Sequence, residues 1–430
     1  MAPSDQGNPQ KPPLTAKSEA ALQHHANMFD RWLLNAIGSR FAPAGVRFRL
    51  QNSGEAGFTG DSPLATVTIP DHSTLIRLLL DPEIEFGEAY AAGRIDVAGD
   101  LPAFIEAIFR LAAPQNFVSA LRSRWLDLMH KNTLRGSRAN IHRHYDLGTD
   151  FYKLWLDSQL VYTCAYFSEP SMSLEAAQVA KMDHVCRKLQ LRPGETVVEA
   201  GCGWGALALH MAREYGVRVK AFNISKEQIK YARQQAKIAG LEARVEFIDD
   251  DYRNISGQYD AFVSVGMLEH VGKNNYEEFG RVIQRSLPSA GRGLLHFIGR
   301  NRPQQLNAWI RKRIFSGGYT PSLRESLEFL EPLDVSVLDV ENLRMHYAWT
   351  LEHWLKRFEQ SSHHVAKMLG EEFVRVWRLY LAGSLAGFRA GTMQLFQIVF
   401  AGKDCKAIPW TRDHLYSSTD KELKWFHANA

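Results

Sequence analysis

The sequence predicts an α/β chain, in which a mostly parallel sheet flanked by helices follows a smaller α+β module. Three observations lead there. From about residue 141 onward short apolar runs alternate with helical patterns, the signature of repeated strand–helix–strand units. Within them, "VVEAGCGWGALALH" (Val197 to His210) sets glycines at 201, 203 and 205 between a strand-like run and a helix-like one. The composition, 45% hydrophobic and 23% charged over 430 residues, is that of a globular chain with room for more than one domain.

Residues 1–18, rich in proline, glutamine and serine, read as a flexible tail and not as a signal peptide. Residues 19–118 form the smaller module. "QHHANMFDRWLLNAI" has helical spacing, "VRFRLQNSG" and "ATVTIP" alternate like strands, and Leu101 to Ala113 is again helical. A basic linker over 119–140 follows, then the main domain over 141–403 and a C-terminal extension over 404–430. In the main domain "ETVVEAG", "RVKAFNI", "ARVEFIDDD", "YDAFVSVG" and "GRGLLHFIG" are successive strands, and "TMQLFQIVFAG" supplies an added one.

No window approaches the roughly 18 apolar residues of a membrane span. Four scattered cysteines make no metal-like pairs and fit a reducing cytoplasm. A net charge of +4 does not call for nucleic acid, and no Asn/Asp-Pro-Pro-aromatic loop follows "YDAFVSV" to hold a flipped base. Basic residues do cluster with aromatic and aliphatic ones in "RNRPQQLNAWIRKRIF" (Arg300 to Phe315). This pattern fits either an anionic bilayer surface or a helix packed on its own protein.

The glycine spacing differs from the G-x-G-x-x-G of dinucleotide sites. Preceded by Glu199, it is the E-x-G-x-G-x-G form typical of S-adenosylmethionine-dependent methyltransferases. Asn223 ends the next strand, Gln228 lies one turn into the following helix, and Asp250 and Asp251 follow the third strand. Ribose, amino-acid and adenine groups are held at such positions, because open α/β sheets bind ligands along the carboxyl ends of their strands.

"HYDLGTDFYKLWLD", "VYTCAYF", "SVGMLEHVG", "LLHFIG" and "GFRAGTMQLFQIVF" occur in that order and together resemble the cyclopropane fatty acid synthase family, over about His142 to Ala401. "FGEAYAAGRIDV" (Phe86 to Val97) is similar to the N-terminal region of its long bacterial form. The resemblance implies a class I methyltransferase fold with a seven-stranded Rossmann-like sheet, and a lipid-handling N-terminal domain. It also implies a membrane phospholipid substrate with unsaturated acyl chains, a homodimer, and a cytoplasmic protein held peripherally at the inner face of the membrane.

The implied reaction moves the sulfonium methyl of S-adenosylmethionine onto a cis double bond; a proton then leaves the resulting cation and a cyclopropane ring closes. The resemblance assigns the base to a bicarbonate ion held by Glu269, His296, Tyr347 and the backbone around Cys164 and Ile298. It assigns the cofactor to Tyr162, Thr163, Gly201, Gly203, Asn223, Gln228 and Asp251, and no metal is implied. Tyr166, Phe167, Tyr276 and Phe315 are expected along an acyl tunnel. The chain departs from the family pattern at Ser384, where many relatives carry cysteine, and at Asn223, where a threonine-like residue is usual. An alternative product is a methyl- or methylene-branched chain, released without ring closure to a partner reductase or furan-forming enzyme.

Overall fold

The computed structural model of the chain describes residues 28–51, 54–111 and 147–416. The expected tail, the basic linker, and the extension beyond residue 416 lie outside the described residues.

The first module contains α1 (Met28–Phe41), β1 (Val46–Leu50), β2 (Gly54–Gly57), β3 (Ala65–Ile69), α2 (His72–Leu80), α3 (Pro82–Ala91), β4 (Asp96–Gly99) and α4 (Leu101–Leu111). Its sheet has the order β2-β1-β3-β4, with β1 and β3 parallel and the outer pairings antiparallel. The alternation of "VRFRL" and "ATVTI" explains this, because every second side chain is buried beneath the helices. "VRFRLQNSG", expected as a single strand, ends as a strand at Leu50, and β2 returns alongside it from Gly54.

The second part begins with α5 (Thr149–Lys153), α6 (Leu174–Lys188), β5 (Thr196–Ala200), α7 (Ala206–Glu214), β6 (Arg218–Asn223), α8 (Lys226–Ile238) and β7 (Val245–Asp249). It continues through β8 (Ala261–Val265), α9 (Leu268–Val271), α10 (Tyr276–Ser286), β9 (Arg292–Gly299), α11 (Ala308–Arg313) and α12 (Leu323–Glu328). β10 (Val335–Asn342), α13 (Arg344–Leu369), α14 (Glu371–Ala390), β11 (Gln394–Gly402) and α15 (Asp413–Tyr416) complete it. Seven strands form one sheet in the order β10-β11-β9-β8-β5-β6-β7, in which only β11 runs antiparallel to its neighbours. All five residues of β8 are buried, as expected of a central strand covered on both faces. Serine side chains start the flanking helices: Ser173 accepts from the Ala176 N–H at the head of α6, and Ser225 from the Gln228 N–H at the head of α8. The strand order reverses between β5 and its two neighbours β6 and β8. The glycine turn leaves β5 at this switch point, the place where open α/β sheets bind ligands beyond the strand ends.

Apolar layers cover both faces of the large sheet. A third cluster runs without interruption from the small module into α5, α13 and α14, so the two parts share a core. The basic-aromatic segment belongs to this junction, packed on the small module as the second of its two expected placements has it. Arg311 is buried, Lys312 and Arg313 both pair with Glu88, and Arg313 also reaches Glu372. The Ala308 N–H donates to Glu83 at 3.2 Å. The packed-helix alternative wins because the small module supplies acids opposite the basic row. Trp309 lies so close over Gly87 that a Cβ there would stand 2.4 Å from the indole ring. Gly87→Val is therefore expected to lift Trp309 and lower the melting midpoint by roughly 5 °C, from an overpacking cost of about 1–3 kcal/mol. An unchanged melting curve would contradict this packing.

Among the described residues no helix is long and apolar enough to cross a membrane, and no cluster of His, Cys, Asp and Glu could hold a metal ion.

Candidate active site

Two sets of residues meet at the carboxyl ends of the central strands. The first is the glycine turn after β5. Gly201, Gly203 and Gly205 all have positive φ, of 87°, 52° and 89°, a region that L side chains enter only at a cost. Their surroundings differ. A Cβ on Gly205 would stand 2.6 Å from the Phe247 ring and one on Gly201 2.9 Å from Met267, whereas one on Gly203 would meet no atom within 4 Å. Gly205 is thus glycine for packing, and Gly203 leaves an open cradle.

Asn223, at the end of β6, closes one side of that cradle. Its amide nitrogen donates to the Gly203 carbonyl at 3.1 Å and to Gln228 Oε1 at 2.8 Å, and its oxygen accepts from the Ile224 N–H. Asp251 is buried after β7, with both carboxylate oxygens on the Arg253 guanidinium at 2.8 and 2.9 Å. A ligand reaching Asp251 would share it with Arg253. Glu199, the acid of the glycine motif, is held up at about 8 by burial, against the pull of the Lys181 charge.

The "VYTCAYF" segment touches neighbours of both sets: the Tyr162 ring lies 5.5 Å from that of Tyr152, which packs on Trp204 of the glycine turn, and Thr163 lies against Gly266 after β8. Leu160 turns it with a left-handed φ of 57° despite being buried, a conformation that costs of order 1 kcal/mol and persists only where the surroundings enforce it. The enforcing groups lie beneath the segment. Asp157 accepts from the Gln159 and Val161 N–H groups, Gln178 donates to the carbonyls of Val161 and Thr163, and Lys181 donates to Thr163 Oγ1 at 3.0 Å. Burial lowers Lys181 to about 8. Tyr162 and Tyr380 share a hydrogen bond of 2.7 Å, and the Tyr162 ring packs against Trp155 and Trp354. Cys164 is fully buried, with its thiol pushed well up by burial and donating to the Ala165 carbonyl.

The second set centres on Glu269 and His296. Glu269, on the short α9 directly after β8, is buried; its Oε1 accepts from the Ile298 N–H at 2.5 Å, while its Oε2 has no partner among the described residues. Burial pushes this carboxyl up to about 7. His296, on β9, is also buried, and burial holds its imidazole well below the ordinary range. Its Nδ1 lies 3.0 Å from Gln397 Nε2, and its Nε2 has no partner among the described residues. Backbone ties hold the sets together: the Gly266 N–H donates to the His296 carbonyl, and a Cβ on Gly266 would stand 2.7 Å from Thr163 Cγ2. Tyr347, on α13, packs its ring 4.6 Å from Phe388 and 5.9 Å from Trp354, which also touches Tyr162.

The structure pairs Ile298 with Glu269 directly, where the sequence expected both to face one ion. Of the expected tunnel aromatics, Phe315 lies between the rings of His270 and Tyr380, and Phe167 packs on Trp349 and His353. Tyr166 is stacked between His184 and His346, while Tyr276 packs with Tyr319 and Phe329. Gln397, Gln178, Lys181 and Asp157 were missed. Each is a polar residue at a buried position of an otherwise patterned segment, and for Gln397 that signal stands out in "QLFQIVF".

The profile of the family described as mycolic acid cyclopropane synthetase matches residues 132–398. A "Probable fatty acid methyltransferase" of Pseudomonas putida is 36% identical over 83% of this chain and 93% of its own length. The "Cyclopropane-fatty-acyl-phospholipid synthase" of Escherichia coli K12 is 35% identical over 80% of this chain and 89% of its own. The solved structure of mycolic acid cyclopropane synthase CmaA1 complexed with SAH and CTAB aligns with a TM-score of 0.58 and 31% identity, covering 61% of this chain and 97% of that one. On this evidence the chain belongs to the mycolic acid cyclopropane synthetase family, built on the class I S-adenosylmethionine-dependent methyltransferase fold.

Proposed function

We propose that this methyltransferase acts on the cis double bond of an unsaturated phospholipid acyl chain at a membrane surface, and that a bicarbonate ion serves as base for closure to a cyclopropane ring. The observation that carries the base assignment is the pair of buried polar atoms without partners among the described residues, Glu269 Oε2 after β8 and His296 Nε2 on the neighbouring β9. An acceptor and a ring nitrogen buried without partners cost free energy unless a polar group bridges them. A small anion carrying a proton fits both, since it can donate to Glu269 and accept from His296. When bound, bicarbonate would supply a base compact enough to reach a proton on a buried chain.

The residues divide the work. The open Gly203 cradle, with Asn223 and Gln228 beside it, fits S-adenosylmethionine, which supplies the methyl group. Tyr162 and Thr163, fixed from below, would hold the cofactor so that its methyl meets the acyl chain, and the backbone at Cys164 would help hold the anion; alignment matters because an alkene is a weak nucleophile. The aromatic enclosure of Trp155, Tyr162, Tyr347, Trp354 and Tyr380 would keep water from a cationic intermediate, and its ring faces favour positive charge.

A second reading, methyl transfer without ring closure, is favoured by the similarity to the Pseudomonas putida protein named a fatty acid methyltransferase. The two products have equal mass, so proton NMR separates them. Purified protein with S-adenosylmethionine and monounsaturated phospholipid vesicles is expected to yield fatty acids with upfield ring protons and no vinyl signals. A retained alkene with a new methyl or methylene signal would establish the second reading, and unaltered lipid would overturn both.

A further inference from the structure

Gln397 is an unusual residue to find inside a sheet. It is completely buried near the middle of β11, a strand paired on both sides, and nothing in strand formation calls for an amide there. The β11–β9 register places it directly opposite His296, so the two side chains emerge on the same face as neighbours. Its Nε2 lies 3.0 Å from His296 Nδ1. In this orientation the amide nitrogen donates and Nδ1 accepts, while Gln397 Oε1 has no partner among the described residues. A neutral imidazole that accepts at Nδ1 carries its proton on Nε2.

That nitrogen has no partner among the described residues. If the proton sat on Nδ1 instead, Nε2 would present a lone pair to the oxygens of an anion and repel it. We propose that Gln397 is a positioning residue that sets the tautomer and ring orientation of His296, so that Nε2–H is directed at the anion of the reaction. This inference rests on the bicarbonate reading above. It gives the buried amide a role of the same kind as the carboxylates and carbonyls that orient metal-binding histidines from behind.

The surroundings make the tautomer decisive by keeping the ring neutral. Burial does most of this, and the charges of Lys181 and Lys188 on α6 add to it, opposed by Glu341 on β10. An imidazolium would donate from both nitrogens and need no such orientation; a neutral ring has a single proton, and its location must be chosen.

Two measurements test the assignment. In protein labelled with ¹⁵N-histidine, the His296 signals, identified by their loss in His296→Gln, are expected to show an unprotonated Nδ1 and a protonated Nε2. In the near-isosteric Gln397→Met protein the half-saturating bicarbonate concentration for methyl transfer to phospholipid vesicles is expected to rise about tenfold, comparable to the loss of other second-layer partners of histidine. The dissociation constant for S-adenosylmethionine should stay within twofold. A proton on Nδ1 in the wild type overturns the inference, as does an unchanged bicarbonate requirement in a folded Gln397→Met protein. Wild-type turnover that is indifferent to bicarbonate would defeat the bicarbonate reading instead, and the ¹⁵N spectrum would still decide the tautomer.

Discussion

A Glu269→Gln protein is expected to bind S-adenosylmethionine like the wild type and to transfer methyl groups at least a hundredfold more slowly, the scale on which a positioned acid–base group contributes. Glutamine is the informative substitution because its carbonyl can still accept from the Ile298 N–H, so the loop holds its shape while the charge and the second acceptor are lost. The same carboxyl also leaves a signature in stability. Its value of about 7 in the folded protein exceeds the ordinary 4.5, so the folded state binds this proton more tightly than the unfolded chain does. The stability from protonation is complete below about pH 4.5 and is lost as pH rises through 7. Glu269→Gln, a mimic of the protonated acid, should therefore match the wild type at pH 5 and exceed it at pH 8, by at most roughly 3 kcal/mol. Activity moves the opposite way: wild-type kcat/KM should climb through pH 7 as Glu269 ionises. Chemical denaturation and rate profiles across this window measure both, and a glutamine variant with wild-type turnover would remove Glu269 from the reaction.

Gly203→Val and Gly205→Val should fail in different ways, although the two glycines are two residues apart with the same sign of φ. At Gly205 the new Cβ would be driven within 2.6 Å of Phe247 and 2.8 Å of the Ala232 methyl, inside the layer joining α7 and α8 to the sheet. Overpacking and backbone strain together should cost about 3 kcal/mol or more, lowering the melting midpoint by roughly 10 °C. At Gly203 the side chain would enter open space. That protein should fold with only the local strain, yet lose affinity for S-adenosylmethionine at least tenfold, because the space being filled is the approach to the turn. Calorimetric titration and thermal melts separate the outcomes. Wild-type affinity in Gly203→Val would show that the cradle holds nothing.

Much of this site could be read from the sequence because its groups sit where strands end. Gly201, Gly203, Asn223 and Asp251 each follow a strand of strong apolar pattern, Glu269 comes just after one, and His296 interrupts one. What escaped depends on distant partners. β10 was not anticipated, since it is an edge strand whose acids Asp339 and Glu341 reach Lys188 across the fold and dilute its alternation. The basic-aromatic segment has the same amphipathic pattern whether its partner is a bilayer or Glu83, Glu88 and Gly87, and periodicity carries no information on which it meets. Gln397 could have been flagged as a polar residue in an apolar strand, but its role depends on a cross-strand register that only the folded sheet defines.

α14 has two attachments on different sides. Arg375 donates to the carbonyls of Tyr90 and Ile95 and lays its guanidinium 4.2 Å over the Tyr90 ring, gripping the small module. Five residues later Tyr380 shares a hydrogen bond with Tyr162 of the "VYTCAYF" segment. One helix thus seats the small module at Arg375 and braces Tyr162 at Tyr380. A foreign module grafted onto this body would therefore have to reproduce the seat of Arg375, with its two carbonyls and its ring, or leave the helix that braces Tyr162 without its other attachment.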